Sequence, residues 1–243
     1  MLGGTTEASA LAGDLARRKI AATLSYAGRT EHPRAQPVPV RIGGFGGVQG
    51  LADYLRQNGV THLVDATHPF AATMSGNAVH AASLADVPLI ALTRPAWAPV
   101  SGDRWHHVAD VDGAVLALAG RARRVMLAMG RMHVAAFAAQ PQHHYLLRFV
   151  DAPDLPPALP HTLVVDRGPF DVASDVQLMR AHAIDVVVAK NAGGAGAEAK
   201  LIAARQLGLP VILIDRPVMP LRTEVHDVAD VLRWLGHDAD LGV

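Results

Sequence analysis

Gly3-Gly4-Thr5-Thr6-Glu7 has the composition of a turn that receives a phosphate. Glycines let the backbone come close, and the amides and dipole of a following helix attract negative charge. Thr5 or Thr6 offers a hydroxyl for a helix cap or for a phosphate oxygen. An ordinary capped turn has the same composition, and GGTTE is not G-x-G-x-x-G. TLSYAGRT follows at residues 23–30, where a dinucleotide-binding fold sets an acid on the ribose 2′-hydroxyl or a base on a 2′-phosphate. Within that stretch no acid appears until Glu31, whereas Ser25, Arg29 and Thr30 are at hand. The guanidinium fork suits phosphate, so these residues point to NADP rather than NAD.

Gly43-Gly44-Phe45-Gly46-Gly47 places four glycines around one aromatic after a strand-like PVRI. Ordering so many glycines is entropically costly, which suits a loop that lies flat against a ligand with Phe45 available to stack. In Asp65-Ala66-Thr67-His68-Pro69-Phe70, Pro69 fits the first position of a helix and holds His68 extended at a strand end. There His68 can face a substrate or act as a general acid. A capping or surface histidine is the plainer reading. Lys190-Asn191-Ala192-Gly193-Gly194 joins a cation, an amide and two glycines at a helix start, a composition that binds anions. Arg131, Arg167, Arg94 and Arg216 also fall at strand ends, and Lys200 lies in the following helix. Cations gathered there suit a polyanionic ligand.

Lys+Arg and Asp+Glu both number 22, so no long-range field draws the chain to nucleic acid or anionic lipid. The absence of cysteine removes disulfides, thiolate nucleophiles and Cys-ligated metals. The 13 histidines show no H-E-x-x-H, and the neighbours in His106-His107 and His143-His144 would face opposite sides of a strand, so no metal is expected. There is no G-x-S-x-G and no G-x-x-x-x-G-K-[ST]. No tyrosine has a lysine four residues later, which counts against Tyr/Lys dehydrogenase chemistry. No apolar run approaches the roughly 18 residues of a membrane span, and no signal pattern opens the chain. A cytoplasmic protein is the expectation.

The elements that must position these residues alternate. Apolar runs such as THLVDA, VPLIAL, RRVMLAM, IDVVVA and PVILID suit strands buried on both faces of a parallel sheet. Alanine-rich stretches at Glu7–Arg18, Met74–Leu84, Ala197–Leu207 and Val225–Leu235 suit covering helices. The chain also repeats itself. Residues 59–95 resemble 183–217, with Pro88 answering Pro210 and Arg94-Pro95 answering Arg216-Pro217. WHHVADVDGAVLAL (105–118) answers VHDVADVLRWL (225–235), and GGFGG answers DRGPF (166–170).

The fold class expected is α/β: two Rossmann-like, doubly wound parallel-sheet domains related by internal duplication, with a cleft between them. The boundaries expected are 1–95 for a first, NADPH-binding domain, 96–119 for a crossover and 120–243 for a second domain. The last helix, after Pro220, is free to pack back across the boundary. In the second half Arg124–Ala128 forms a full strand ahead of Gly130. By analogy a strand of about five apolar residues belongs ahead of Gly3, where only Met1 and Leu2 stand. Either the first strand is clipped or another segment fills its place.

GGTTEA, LSYAGRT, GGFGG, DATHPFA, DRGPF and KNAGG, in that order, resemble the precorrin-6A reductase family of corrinoid biosynthesis over essentially the whole chain. The resemblance implies two Rossmann-like domains that use NADPH to reduce a double bond of a tetrapyrrole. A hydride goes to one ring carbon and a proton to its neighbour. It implies that Gly3, Gly4, Thr5 and Thr6 hold the pyrophosphate, Ser25 and Arg29 the 2′-phosphate, and Gly43, Gly44, Phe45 and Gly46 border the nicotinamide. His68, Pro69, Arg131, Lys190, Asn191, Gly193 and Gly194 would line the site of a substrate rich in carboxylates, with His68 a candidate proton donor and water an equal one. The family's apolar strand before GGTTE is the one departure. Closing two halves around one ligand can leave a monomer complete. A cobalt-containing substrate, a non-catalytic two-lobed binder and a sugar-nucleotide transferase are the rival readings; the last is usually a longer chain, and a pure binder has no use for a second cofactor pocket.

Overall fold

The computed structural model describes residues 1–27, 35–166, 168 and 170–240, except for the side chains of 237–240. In chain order the strands are β1 (Leu24–Tyr26), β2 (Val40–Ile42), β3 (Leu63–Asp65), β4 (Leu89–Leu92), β5 (Trp105–Val108), β6 (Arg124–Ala128), β7 (His144–Phe149), β8 (His161–Val165), β9 (Val186–Lys190), β10 (Val211–Ile214) and β11 (Thr223–Val225). The α-helices are α1 (Thr6–Arg17), α2 (Gly47–Gln57), α3 (Ala72–Ala85), α4 (Val111–Ala117), α5 (Val172–Ala181), α6 (Ala199–Gln206) and α7 (Val228–Asp240), and Arg131–Ala139 is a 3₁₀ helix. Every strand pair is parallel, as expected from strands buried on both faces.

The chain forms two compact units, Met1–Pro95 with Val218–Val243, and Ala96–Pro217. In the first, Leu2 bridges Ser25 on one side and Asp65 on the other. Leu2 N donates to Val64 O, Ser25 N to Met1 O and Ala66 N to Leu2 O at 2.8–2.9 Å. Met1–Gly3 therefore stand in the central strand position, and the sheet runs β2, β1, Met1–Gly3, β3, β4, β11. Counting Met1–Gly3 as strand one, this is the Rossmann order 3-2-1-4-5-6. On one face Leu11 and Leu15 of α1 and Val231 of α7 are buried against Leu24, Val64 and Ile90. On the other, Leu51 and Leu55 of α2 and Ala78 and Ala81 of α3 are buried with Leu2 and Leu63.

The second unit has the order β5, β10, β9, β6, β7, β8. It is the same order with β6 as strand one and β5 in the sixth place. The repeated segments have thus been exchanged. β5 follows the first five strands of the first half but pairs with β10, whereas β11 follows the second half and pairs with β4. The boundaries 1–95, 96–119 and 120–243 differ from this in two places. Residues 96–119 are not a bare crossover but supply β5 and α4 to the second unit, and 218–243 return to the first. The physical reason is that a sixth strand completes a sheet edge, and each edge takes the copy from the other half.

Burial in the second unit gives Tyr145 a measurable signature. Its ring is fully buried, its hydroxyl donates to Gln140 O at 2.9 Å and Phe137 O at 3.2 Å, and burial raises its pKa to about 12. Between pH 10 and that value the folded chain holds a proton that the unfolded chain has released, so stability must fall as pH rises. The loss is roughly 2–3 kcal/mol over that window. Alkaline unfolding curves of the wild type and Tyr145→Phe should converge as pH rises, and parallel curves would contradict the assignment.

Candidate functional site

In the first unit the strand order reverses beside Met1–Gly3, where ligands of such sheets bind at the carboxyl ends of the strands. Thr5 is the N-cap of α1; its hydroxyl accepts from Ala8 N at 3.1 Å and donates to Ala66 O at 2.9 Å. That hydroxyl is spent on structure. Gly3 lies close against the core: a Cβ there would fall 2.4 Å from Leu24 Cδ1, and the leucine side chain would have to shift. Gly4 has φ +131° and open space where a side chain would be. The Thr6 and Glu7 amides donate to no protein acceptor among the described residues. Glu7, an acid that would repel an anion, is paired with Arg94 at 3.2 Å. The turn suits a diphosphate through its amides rather than through Thr5.

Ser25 is buried in the middle of β1, and Arg41, its register partner on β2, donates to its Oγ at 3.3 Å. Arg29 lies outside the described residues, as does Arg167. Phe45 is half-buried under the Arg41 guanidinium, 3.8 Å from the ring centroid, and meets Tyr54 edge-on at 5.1 Å. Gly50 must be glycine for the loop to sit here, because a Cβ would fall 1.8 Å from Phe45 O. The loop follows β2, two places from Met1–Gly3 on the β1 side. That is the side on which such folds place the ribose next to the pyrophosphate turn.

β3 ends in Asp65, which is buried and paired with Arg222 at 2.6 Å. Its other oxygen accepts from Thr67 N at 3.1 Å and Thr67 Oγ1 at 2.7 Å. Pro69 does not begin a helix as the sequence suggested. Ala71 N donates to His68 O at 2.7 Å, closing a turn with proline in its second position, and α3 starts at Ala72. His68 is exposed, and its Nδ1 accepts from Phe70 N at 3.2 Å. In that geometry the neutral ring carries its proton on Nε2, and a doubly protonated ring would set two donors against each other.

The second unit presents its turn after β9. Asn191 is buried; it accepts from Trp97 N at 2.8 Å and donates to Trp97 O at 3.2 Å, so its amide is committed to a backbone segment and not to a ligand. Arg216 donates to Asn191 O at 2.9 Å and Ala192 O at 3.1 Å, and Trp97 Nε1 to Gly194 O at 3.1 Å. Lys200 is buried, donates to Ala197 O and lies 5.0 Å from the Trp97 ring centroid. The cations are therefore unequal: Arg94 and Arg216 at strand ends and Lys200 in α6 are engaged by the fold itself. Gly193 and Gly194 take positive φ of 70° and 77°, as a tight turn requires. Lys190 ends β9, and Arg131 is exposed beside an apolar depression of about 290 Å³ lined by Val134, Phe149, Leu155 and Pro157. Among the described residues no cluster of His, Asp or Glu could hold a metal.

Sequence reasoning missed Arg41, Arg222 and Trp97. A lone charge in the apolar run PVRIGG, directly before glycines, was the available sign for Arg41, and an acid closing the buried run HLVD was the sign that Asp65 needs a partner.

The profile of a family described as Precorrin-6x reductase CbiJ/CobK matches residues 1–236. A "Precorrin-6A reductase" of Rhodobacter capsulatus is 58% identical over 97% of this chain and 94% of its own. One from Rhodococcus erythropolis is 48% identical over 97% and 96%. A "Cobalt-precorrin-6A reductase" of Priestia megaterium is 27% identical over 97% and 96%. The solved structure titled "CobK precorrin-6A reductase" superposes with a TM-score of 0.93 at 57% identity, covering 97% of this chain and 94% of that one.

Proposed function

Because the chain belongs to the precorrin-6x reductase family, we propose that it reduces precorrin-6A with NADPH as the hydride donor. The observation that carries the reading is the near-full-length likeness to the Rhodobacter capsulatus protein, and the wide gap to the cobalt-precorrin relative favours the metal-free substrate. NADPH, when bound, supplies a hydride to one carbon of the macrocycle double bond. The chain's own residues bind and orient. The Thr6 and Glu7 amides and Gly4 receive the diphosphate, with Gly3 and Thr5 shaping that turn. Ser25 and Arg29 receive the 2′-phosphate, and Gly43, Gly44, Phe45 and Gly46 flank the adenosine half. In the second unit Arg131, Lys190, Gly193 and Gly194 meet substrate carboxylates, while Asn191 fixes their turn. His68, with Pro69 holding its turn, faces the substrate as a candidate proton donor, with water an equal one. A cytoplasmic monomer completes the reading; no described helix is long and apolar enough to cross a membrane.

Fluorescence titration with NADPH and NADH tests the cofactor. Tight NADPH binding with weak NADH binding is expected, and equal or absent binding of both would remove the reading. Arg29→Ala should weaken NADPH by about 1–3 kcal/mol, the range for a lost charged hydrogen bond, and leave NADH nearly unchanged. An equal loss for both would contradict its role. Turnover of metal-free against cobalt-containing substrate separates the two named activities.

A further inference from the structure

The glycines of the loop after β2 have no side chains with which to hold their own backbone. Gly43, Gly46 and Gly47 take φ of +121°, +80° and +88°, and a Cβ on any of them or on Gly44 would meet nothing within 4 Å. Phe45 meets Tyr54, Gly43 N donates to Tyr26 O at 2.9 Å, and one side chain holds the glycine carbonyls themselves. Arg41 donates from Nη1 to Gly43 O at 2.6 Å and from Nη2 to Gly44 O at 2.7 Å while its guanidinium covers Phe45.

A trans peptide points its carbonyl and the next N–H in opposite directions. With the Gly43 and Gly44 carbonyls drawn onto the guanidinium, the N–H groups of Gly44 and Phe45 are turned away from it. Neither donates to a protein acceptor among the described residues. A cation on the carbonyl end also polarises each peptide unit and strengthens its donor end. Successive N–H groups so aimed bind anions.

We propose that Arg41 is a positioning residue for cofactor discrimination: by gripping two carbonyls it aims the Gly44 and Phe45 amides at the 2′-phosphate of NADPH. The proposal rests on the reading that the first unit holds NADPH. The pyrophosphate belongs to the turn before α1, whereas β2 lies beyond β1, so the phosphate nearest this loop is the one on the ribose. Ser25, which Arg41 also contacts, is its register partner on the neighbouring strand β1.

The test is titration of wild type, Arg41→Ala and Arg41→Lys with NADPH, NADH, 2′,5′-ADP and 5′-AMP, alongside steady-state kinetics and thermal melting. Arg41→Ala should lose on the order of tenfold in affinity for NADPH and 2′,5′-ADP, the equivalent of one charged hydrogen bond. NADH and 5′-AMP should hardly change, KM for NADPH should rise and kcat at saturation should stay near wild type. Lysine, which cannot fork across two carbonyls, should restore only part of the loss. A merely structural role would lower the melting temperature and weaken all four ligands alike, and that result overturns the proposal, as does unchanged NADPH preference in either variant. If Arg41→Ala does not fold, Arg41→Lys decides on the same readout. Wild type with no preference for NADPH would remove the underlying reading as well, whereas preference retained in the variants removes the role of Arg41 alone.

Discussion

Arg222→Ala should destabilise the first unit by about 3–5 kcal/mol, the cost of leaving a buried charge without its partner. The side chains of Arg222 and Asp65 are only 6% and 2% exposed, and no solvent stands ready to take over from the guanidinium. Thr67 satisfies one carboxylate oxygen through its amide and hydroxyl, so Asp65 stays fixed in place when Arg222 is removed. Asp65→Ala should cost a similar amount, because it strands the guanidinium with only Glu224 at 3.1 Å. The double variant removes both charges and should be less destabilised than the sum of the singles by more than about 1 kcal/mol. Urea unfolding of the four proteins measures this. Additive losses would show that the two side chains stabilise the fold separately.

The position of this pair explains what the sequence could and could not disclose. Asp65 and Arg222 are 157 residues apart, and Arg222 precedes the exchanged strand β11. The apolar runs ending at Asp65, Leu92, Ala128, Lys190 and Ile214 are legible as strands because burial on both faces leaves an unbroken hydrophobic signal. β11 carries no such signal: it is three residues, Thr223–Val225, with Glu224 in the middle. The stretch from Val225 therefore reads as helix, although α7 begins only at Val228. The repeat between 105–118 and 225–235 was visible, but two like segments fit two like sheet edges equally well on local pattern. Long-range pairing of β5 with β10 and β11 with β4 made the choice.

The site divides in the same way. Glycine turns after Met1–Gly3, β2 and β9 announce themselves, since few other reasons place so many glycines at strand ends. The groups that hold them do not. Arg41 on Gly43 O and Gly44 O, and Arg216 on Asn191 O and Ala192 O, are one device used in both units. Arg216 reaches carbonyls 24 and 25 residues away, which no local spacing betrays, whereas Arg41 reaches carbonyls two and three residues on and is marked only by its place before the glycines. Read from the sequence, Arg216 counted as a cation for a ligand; in the structure its charge is spent on shaping the turn.

Arg148→Ala should be the costlier half of the other buried pair, again about 3–5 kcal/mol, and Asp175→Ala the cheaper. Asp175 is wholly buried in the first turn of α5, whereas the Arg148 side chain is 9% exposed and lies 3.6 Å from the Phe170 ring centroid. Without Arg148 the carboxylate has no route to water, and Phe170 loses the cation that covers it. Without Asp175 the guanidinium keeps Phe170, and its long stem can carry the charge toward solvent. The asymmetry should therefore exceed about 1 kcal/mol, and Arg148→Met, which restores bulk without charge, should recover little of it. Equal costs for the two alanine variants, read by urea unfolding, would mean that exposure and the aromatic contact do not set the balance.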